Sequence, residues 1–208
     1  MQPFPIESNS AEIVYSSHAI EHVTDEAIHN MLKESYRILK PGGCIRLTAP
    51  DAYFLFKEYQ KNEFFYYLWI LGLDLNKSYS YFFNKPLLET SIHQQFLHSF
   101  ATQLCEISVD DTPEKKYTDS EISDYFLNHP DVTNLDYFTK QCKFNVDRPL
   151  NHINWCTHEK LISFLKEAGF SSPYASSRGQ SVVPVLRDTN WFDNTQPWLS
   201  LYVEALKL

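Results

Sequence analysis

The sequence is poor in glycine, which limits the kinds of ligand loop it can form. Its 208 residues include five glycines, at Gly42, Gly43, Gly72, Gly169 and Gly179. None of them forms the Gly-x-Gly spacing of the strand-to-helix turns that bring backbone close to a nucleotide in doubly wound folds. The chain therefore has no recognisable glycine-rich nucleotide loop.

Cysteine is also scarce. The four cysteines, Cys44, Cys105, Cys142 and Cys156, show no CxxC spacing. Paired cysteines at short spacing are typical of metal and redox sites, so neither kind of thiol site is indicated. We expect reduced thiols that pack as small apolar side chains.

Positive charge and long apolar runs are lacking too. The chain has 18 Lys and Arg against 26 Asp and Glu, a net charge of -8 at pH 7. Nucleic acids and anionic membranes bind basic surfaces, so we expect neither partner. The longest apolar run, Phe64–Leu71, is far shorter than the ~20 residues that span a bilayer. The printed sequence opens without a secretory leader, and we expect a cytoplasmic protein.

The first 51 residues contain a strand, a helix and a second strand. The β-prone run at 12–15 ends at the polar residues Ser16, Ser17 and His18. Thr24 is placed to cap a helix, with carboxylates in its first turn. The residues at helical spacing along its inward face are Ile28, Met31, Leu32, Ser35 and Leu39.

Pro41, Gly42 and Gly43 are predicted to end this helix, and Cys44–Ala49 is predicted to form the next strand, which ends at Pro50 and Asp51. Short connections around one helix predict a βαβ unit with parallel strands and a right-handed crossover.

These residues resemble a known family. The stretches SSHAIEHV at 16–23 and LKESYRILKPGGCIRLTAPD at 32–51 are similar to the fourth and fifth strands of class I S-adenosylmethionine-dependent methyltransferases. The helix Thr157–Ala168, closed by Gly169, and the run Leu199–Ala205 resemble the end of a predicted subfamily of these enzymes.

The resemblance implies an α/β fold with a Rossmann-like sheet, S-adenosylmethionine as cofactor and a small-molecule acceptor. The family's opening strand, glycine-rich turn and acidic residue have no counterpart in these residues, so we expect a truncated sheet and an incomplete cofactor site. The strand at 12–15 then becomes a sheet edge. We expect the chain either to form a homodimer through this edge or to cover it with residues 1–10.

The polar residues after the first strand are the predicted reaction site. By resemblance, Ser16, Ser17 and His18 line the methionine end of the cofactor. His18, Glu21 and His22 are the candidates for a catalytic base. An unperturbed imidazole titrates at about pH 6.5, so a histidine can take a proton at neutral pH. The alternative is that His18 is a hydrogen-bonded residue that caps the following helix.

Four further residues are candidates for contacting the acceptor. Pro50 and Asp51 end the second strand, and His152 and Trp155 precede the Thr157 helix in a stretch that resembles a site-facing motif of the subfamily. Packing is the alternative, because Asp51 can cap a helix and Trp155 can act as a hydrophobic staple.

Residues His18–His22 also match the HxxEH pattern of some zinc hydrolases. That pattern requires a helix, whereas the predicted helix begins at Thr24, and no motif supplies a third ligand. We therefore expect no metal.

The middle of the chain is aromatic. Residues 52–150 hold 21 of the 32 aromatic side chains, and we expect a helical cap inserted into a single α/β domain of residues 1–208. Helices are predicted at Ile92–Leu104 and Asp119–Leu127, with a polar loop at 110–116. The aromatics form either the core or a dimer face of this cap, or a lid over the acceptor.

Two functions remain from the sequence. The first is a methyltransferase acting on a small molecule. The second is a catalytically silent relative that serves in binding or assembly, which the missing glycine turn favours.

Overall fold

The computed structural model describes residues 3–64, 83–110 and 115–208. Residues 65–71 of the predicted apolar run and 111–114 of the predicted polar loop lie outside them. The chain divides into two compact units, one formed by Met1–Asp51 with Cys156–Leu208 and the other by Ala52–Trp155. The single domain with an insertion at 52–150 stays a prediction.

The described part of the chain contains strands in the first unit and helices in both. The strands are β1 (Ala11–Ser17), β2 (Leu39–Pro50), β3 (Tyr174–Ser176) and β4 (Ser200–Leu206). The helices are α1 (Asp25–Ile38), α2 (Ala52–Gln60), α3 (Ile92–His98), α4 (Asp119–Asn128), α5 (Asp136–Thr139) and α6 (His158–Glu167). Short 3-10 helices lie at Ile20–His22, Leu87–Glu89, Thr102–Leu104, Val132–Leu135 and Pro184–Arg187. No described helix is long and apolar enough to cross a bilayer.

The first unit is built on one mixed sheet with the strand order β1-β2-β4-β3. β1 and β2 are parallel with α1 between them, which confirms the predicted strand-helix-strand arrangement. β4 is antiparallel to both of its neighbours. The predicted α/β fold is therefore present, and β3 and β4 form an antiparallel pair at the end of the chain.

Helix α1 begins as predicted and ends earlier than predicted. The Thr24 hydroxyl accepts a hydrogen bond from the Ala27 amide at its start. The helix ends at Ile38, and Leu39 is already the first residue of β2, paired with Ala11. The predicted strand start at Cys44 was wrong, because β2 already begins at Leu39. The register with β1 then shifts, and regular pairing resumes at Cys44, which is paired with Ile13.

One face of the sheet forms the apolar core of this unit. Helices α1 and α6 contribute to it together with alternate residues of the strands. Its fully or nearly buried members include Ile28, Leu32, Ile45, Leu47, Leu161, Leu165, Leu201 and Val203. Thr157 caps α6 by accepting from the Lys160 amide at 3.2 Å, as predicted.

The opposite face carries a buried ionic network. Arg46, which is 0 % exposed, donates to both carboxylate oxygens of Asp193, at 3.0 and 2.5 Å, and to Glu204 at 3.0 Å. Burial lowers the pKa of Arg46, but hydrogen bonds and charge from Asp193 and Glu204 outweigh it, so this pKa is raised. The network attaches the segment that precedes β4 to the sheet.

β1 is an edge strand of the described sheet. The residues before it bond to helix α1: the amides of Asn9 and Ser10 donate to the carbonyls of Arg37 and Ile38, at 3.1 and 2.8 Å. These hydrogen bonds of Asn9 and Ser10 run to the last turn of the helix and not along β1.

The second unit has an aromatic core. Phe56, Phe96 and Phe126 pack together, with ring centroids 5.3 to 5.8 Å apart. Tyr59 stacks on Phe96 at 4.3 Å and lies within hydrogen-bonding distance of His93. Part of the aromatic enrichment of 52–150 is therefore accounted for by packing inside this unit.

Candidate functional site

The candidate site lies in the first unit, where β1 and β2 end and β4 begins. Ser17 is paired with Thr48 across the parallel strands, and Pro50 is paired with Ser200 across the antiparallel ones. The carboxyl edge of parallel strands is where open α/β sheets bind ligands. The sheet register therefore brings the first and last parts of the chain to one edge.

The backbone turns sharply at His18, directly after β1. Its φ is 46°, which lies in the left-handed region that non-glycine residues seldom adopt. The His18 amide donates to the Thr48 carbonyl at 2.9 Å, which fixes this turn to the end of β2. Such backbone strain is concentrated at functional sites, where the surrounding structure holds it.

The three predicted base candidates form one cluster, in which Glu21 contacts both His18 and His22. It lies in the 3-10 helix Ile20–His22, and it is 2 % exposed. Its Oε1 atom is 3.2 Å from His18 Nδ1 and 3.8 Å from His22 Nε2. Both distances are those of electrostatic contacts between the carboxylate and an imidazole, and the shorter one places the carboxylate beside Nδ1 of His18.

Ser200 is the site residue that the sequence analysis missed. Its Oγ atom lies 2.7 Å from His18 Nε2, although 182 positions separate the two residues. The same oxygen is 2.8 Å from the Gln196 carbonyl and 3.2 Å from the Thr195 carbonyl. No local sequence signal marks this serine, because only the pairing of β2 with β4 brings it to the histidine.

The cluster can hold and move a proton. A carboxylate only accepts hydrogen bonds, so Glu21 favours the imidazole tautomer with hydrogen on Nδ1. Nε2 of His18 is then an acceptor facing the Ser200 hydroxyl. The order of carboxylate, imidazole and hydroxyl is that of a Ser-His-acid triad.

The two predicted cofactor serines differ in their surroundings. Successive strand residues point to opposite faces, so Ser16 and Ser17 do not share one side of the sheet. The buried hydroxyl oxygens of Ser17 and Thr48, which are paired in the sheet, have no hydrogen-bond partner in the described part of the chain. Buried hydroxyls without partners are costly, and they are typical of positions that meet a ligand or water.

The predicted acceptor residues are divided between the two units. Pro50 is buried at the end of β2, and the Asp51 amide donates to the Leu199 carbonyl at 2.8 Å, next to Ser200. His152 belongs to the second unit, where its Nδ1 lies 2.7 Å from the Ser99 carbonyl. Trp155, which is 5 % exposed, donates from Nε1 to Asp136 at 2.7 Å in that unit.

The zinc pattern does not have its required backbone. His18 is in the left-handed region, and the 3-10 helix begins only at Ile20. The two histidines therefore do not occupy one face of a continuous α-helix, as the HxxEH pattern demands.

The described glycines do not form a cradle for S-adenosylmethionine. Gly42 and Gly43 lie within β2, Gly169 follows α6, and Gly179 follows β3. None of these four connects the end of a strand to the start of a helix, which is where a cofactor approaches backbone closely. Despite the Ser17 hydroxyl, the described residues do not by themselves fit this cofactor.

Comparison with known proteins gives one family match. Residues 1–47 match the family model Methyltransf_11, described as a methyltransferase domain. None of the curated proteins matches the chain. A solved structure that matches is that of a possible exported protein from Bordetella parapertussis, with 13% sequence identity and a TM-score of 0.36. The alignment covers 97% of this chain and 40% of that one, so the chain spans well under half of its length.

Proposed function

We propose, from the match of residues 1–47 to a methyltransferase domain, that this chain acts in S-adenosylmethionine-dependent methylation of a small molecule. Within that reaction it supplies the side of the site that receives the acceptor and its proton. The observation that carries the proposal is the buried His18–Glu21 pair, which lies inside the matched residues at the carboxyl edge of the sheet.

The proposed role of this pair is proton transfer. An acceptor methylated on oxygen or nitrogen must lose a proton, and a neutral imidazole can accept it near neutral pH. Glu21, beside Nδ1, orients the His18 ring. Pro50 and Asp51, at the end of the neighbouring strand, are proposed to contact the acceptor, and His152 and Trp155 keep that role as a proposal.

The cofactor side is proposed to be completed by residues outside the described set. One route is homodimerisation through β1, an edge strand whose Ile13, Val14 and Tyr15 are half-buried. Edge strands with apolar side chains pair readily with another chain. The proposed partners are thus a small acceptor molecule and a second copy of this protein.

A catalytically silent binding module is the second candidate. The absence of a Gly-x-Gly turn from the 208 residues favours it. In that case the buried cluster would hold an acceptor or stabilise the fold without transferring a methyl group.

Calorimetric titration of S-adenosylmethionine and S-adenosylhomocysteine into the 208-residue chain separates these candidates. Sedimentation of the same samples gives the oligomeric state. Under the first proposal we expect micromolar binding, and a dimer if β1 completes the site. Ser17→Ala is expected to weaken binding, whereas Ser172→Ala, at an exposed serine, leaves it unchanged. A folded chain that binds neither compound would support the silent module.

A further inference from the structure

We infer that Ser200 is a third catalytic residue, the outer end of a Glu21–His18–Ser200 proton relay that serves acceptors with an O–H or N–H nucleophile. The inference deepens the proposed function and rests on it for the identity of the reaction. The relay itself rests on the geometry of the three side chains.

Both ring nitrogens of His18 are engaged in the first unit. Nδ1 lies 3.2 Å from Glu21, and Nε2 lies 2.7 Å from the Ser200 hydroxyl. The His18 side chain is only 9 % exposed, and Glu21 is 2 % exposed, while Ser200 is half-buried. An acceptor therefore reaches the imidazole through the Ser200 oxygen, because no ring nitrogen is left open to it.

The serine hydroxyl has three alternative acceptors for its single proton, which are His18 Nε2 and the carbonyls of Gln196 and Thr195. With neutral His18, the hydroxyl donates to Nε2. With protonated His18, Nε2 donates to Oγ, and the hydroxyl proton can turn to the Gln196 carbonyl at 2.8 Å. In both states the Ser200 hydroxyl and His18 Nε2 have a hydrogen-bond partner, so rotation of one hydroxyl accompanies the change in charge of His18.

The proton transfer balances in one concerted step. The acceptor's O–H or N–H bond breaks, and its proton bonds to Ser200 Oγ. The original Oγ–H bond breaks, and that proton bonds to His18 Nε2. The electron pair stays on the acceptor atom, which becomes the nucleophile, and His18 later releases the proton to solvent.

Ser200 is held in place by a buried anchor. Asp193, which is 1 % exposed, accepts from Arg46, and its amide donates to the Tyr15 hydroxyl at 2.7 Å. Between this anchor and Ser200 the backbone adopts positive φ at Gln196, 41°, as it does at Asp193 itself, 53°. Two non-glycine residues with positive φ indicate that the surrounding structure fixes the path of the backbone that leads to Ser200.

The relay favours one class of acceptor. Alcohols and protonated amines must lose a proton to become nucleophiles, and general-base catalysis accelerates such steps by about 10² to 10⁴. A thiol that is already ionised needs no relay. We therefore assign hydroxyl or amine acceptors to this site.

Nitrogen NMR of the chain with ¹⁵N-labelled histidine tests the relay without cofactor or acceptor. We expect neutral His18 to carry its hydrogen on Nδ1. Ser200→Ala should shift the Nε2 resonance and loosen the tautomer preference, Ser200→Thr should restore both, and Ser172→Ala should change neither. Hydrogen on Nε2 in the native chain, or an unchanged resonance in a folded Ser200→Ala chain, would overturn the relay.

Kinetics tests the catalytic role once an alcohol or amine acceptor is in hand. Ser200→Ala should lower kcat about 100-fold with little change in KM, and it should alter the pH profile, with Ser200→Thr recovering activity. Unchanged kcat in Ser200→Ala would refute the role even if methylation is confirmed. Because the NMR result needs no methylation, failure of the proposed function leaves the relay separately testable.

Discussion

At the scale of single residues, Arg46 shows how much of this fold depends on charge inside the sheet. It lies in the middle of β2, and its side chain is fully buried between Asp193 and Glu204. It also donates to the carbonyls of Ser177 and Gln180, so the guanidinium bonds to several parts of the chain. Residues far apart in sequence are thereby joined on one face.

Replacing Arg46 should be strongly destabilising. Arg46→Met leaves Asp193 and Glu204 buried without their cation, which costs about 3 to 5 kcal/mol of unfolding free energy. Urea denaturation measures this loss. Lys33→Ala, at an exposed position of α1, is the control and should change stability by less than about 0.5 kcal/mol. Adding Asp193→Asn and Glu204→Gln to Arg46→Met should recover part of the loss; no recovery would show that the charges are not its cause.

Residues of the candidate site were predictable to different degrees. His18, Glu21 and His22 lie within one short polar stretch after a predicted strand, so the sequence indicated them together. Ser200 follows no motif and is one of many serines, and only its 2.7 Å contact with His18 made it a candidate. The buried hydroxyls of Ser17 and Thr48 were likewise recognisable only from the sheet register.

At the scale of elements, helix starts were the most predictable features. Thr24 and Thr157 cap α1 and α6, and Thr118 begins α4 within a capping box, in which Thr118 and Glu121 each accept from the other's amide. These contacts are local, so a short stretch of sequence specifies them. The end of α1 was less predictable, because strand pairing with Ala11 contributed to it.

The capping box of α4 should make stability depend on pH. The Thr118 amide, then Lys115 and the Thr118 hydroxyl, lower the pKa of Glu121 from 4.5 to about 2. A lowered folded-state pKa means that this contribution is complete above about pH 4.5 and is lost as pH falls towards 2. Urea midpoints between pH 5 and 2 should therefore fall less steeply for Glu121→Gln than for the native chain.

Two comparisons make the pH experiment specific. Thr118→Ala should destabilise the chain by about 1 kcal/mol at pH 7, as expected for a lost N-cap. Ser172→Ala, at an exposed serine away from this helix in sequence, should keep the native pH dependence. Equal slopes for Glu121→Gln and the native chain would contradict the role of the carboxylate.

At the scale of the whole molecule, the chain divides into two compact units. The second is continuous in sequence and has its own buried apolar set. Members of this set include Phe56, Phe96, Leu97, Phe100, Leu104, Phe126, Leu135 and Phe138. The first is discontinuous, because β2 pairs with β1 on one side and with β4, near the other end of the sequence, on the other.

This difference predicts which fragment folds alone. We expect residues 52–155, expressed by themselves, to show helical circular dichroism and a cooperative thermal transition. Residues 1–51 should remain unfolded, because β2 then lacks β4 and the core lacks α6. A disordered 52–155 fragment would contradict the independence of the second core, and a folded 1–51 fragment would contradict the need for β4.

The sequence by itself determined the local features of this protein. Helical spacing and caps defined α1 and α6, and β-prone runs indicated β1 and β2. The clustered polar residues at 16–22 marked a candidate site. Each of these depends on residues close together in the chain, where propensity and hydrogen bonding are specified locally.

Only the tertiary structure decided which distant residues meet. The antiparallel pairing of β2 with β4 places Ser200 beside His18. The buried Arg46 binds Asp193 and so holds the segment before β4 against the sheet. The physical reason is that sheet register and buried charge pairing are set by the packing of the whole unit. A one-residue shift in register would turn Ser200 to the opposite face, away from the histidine.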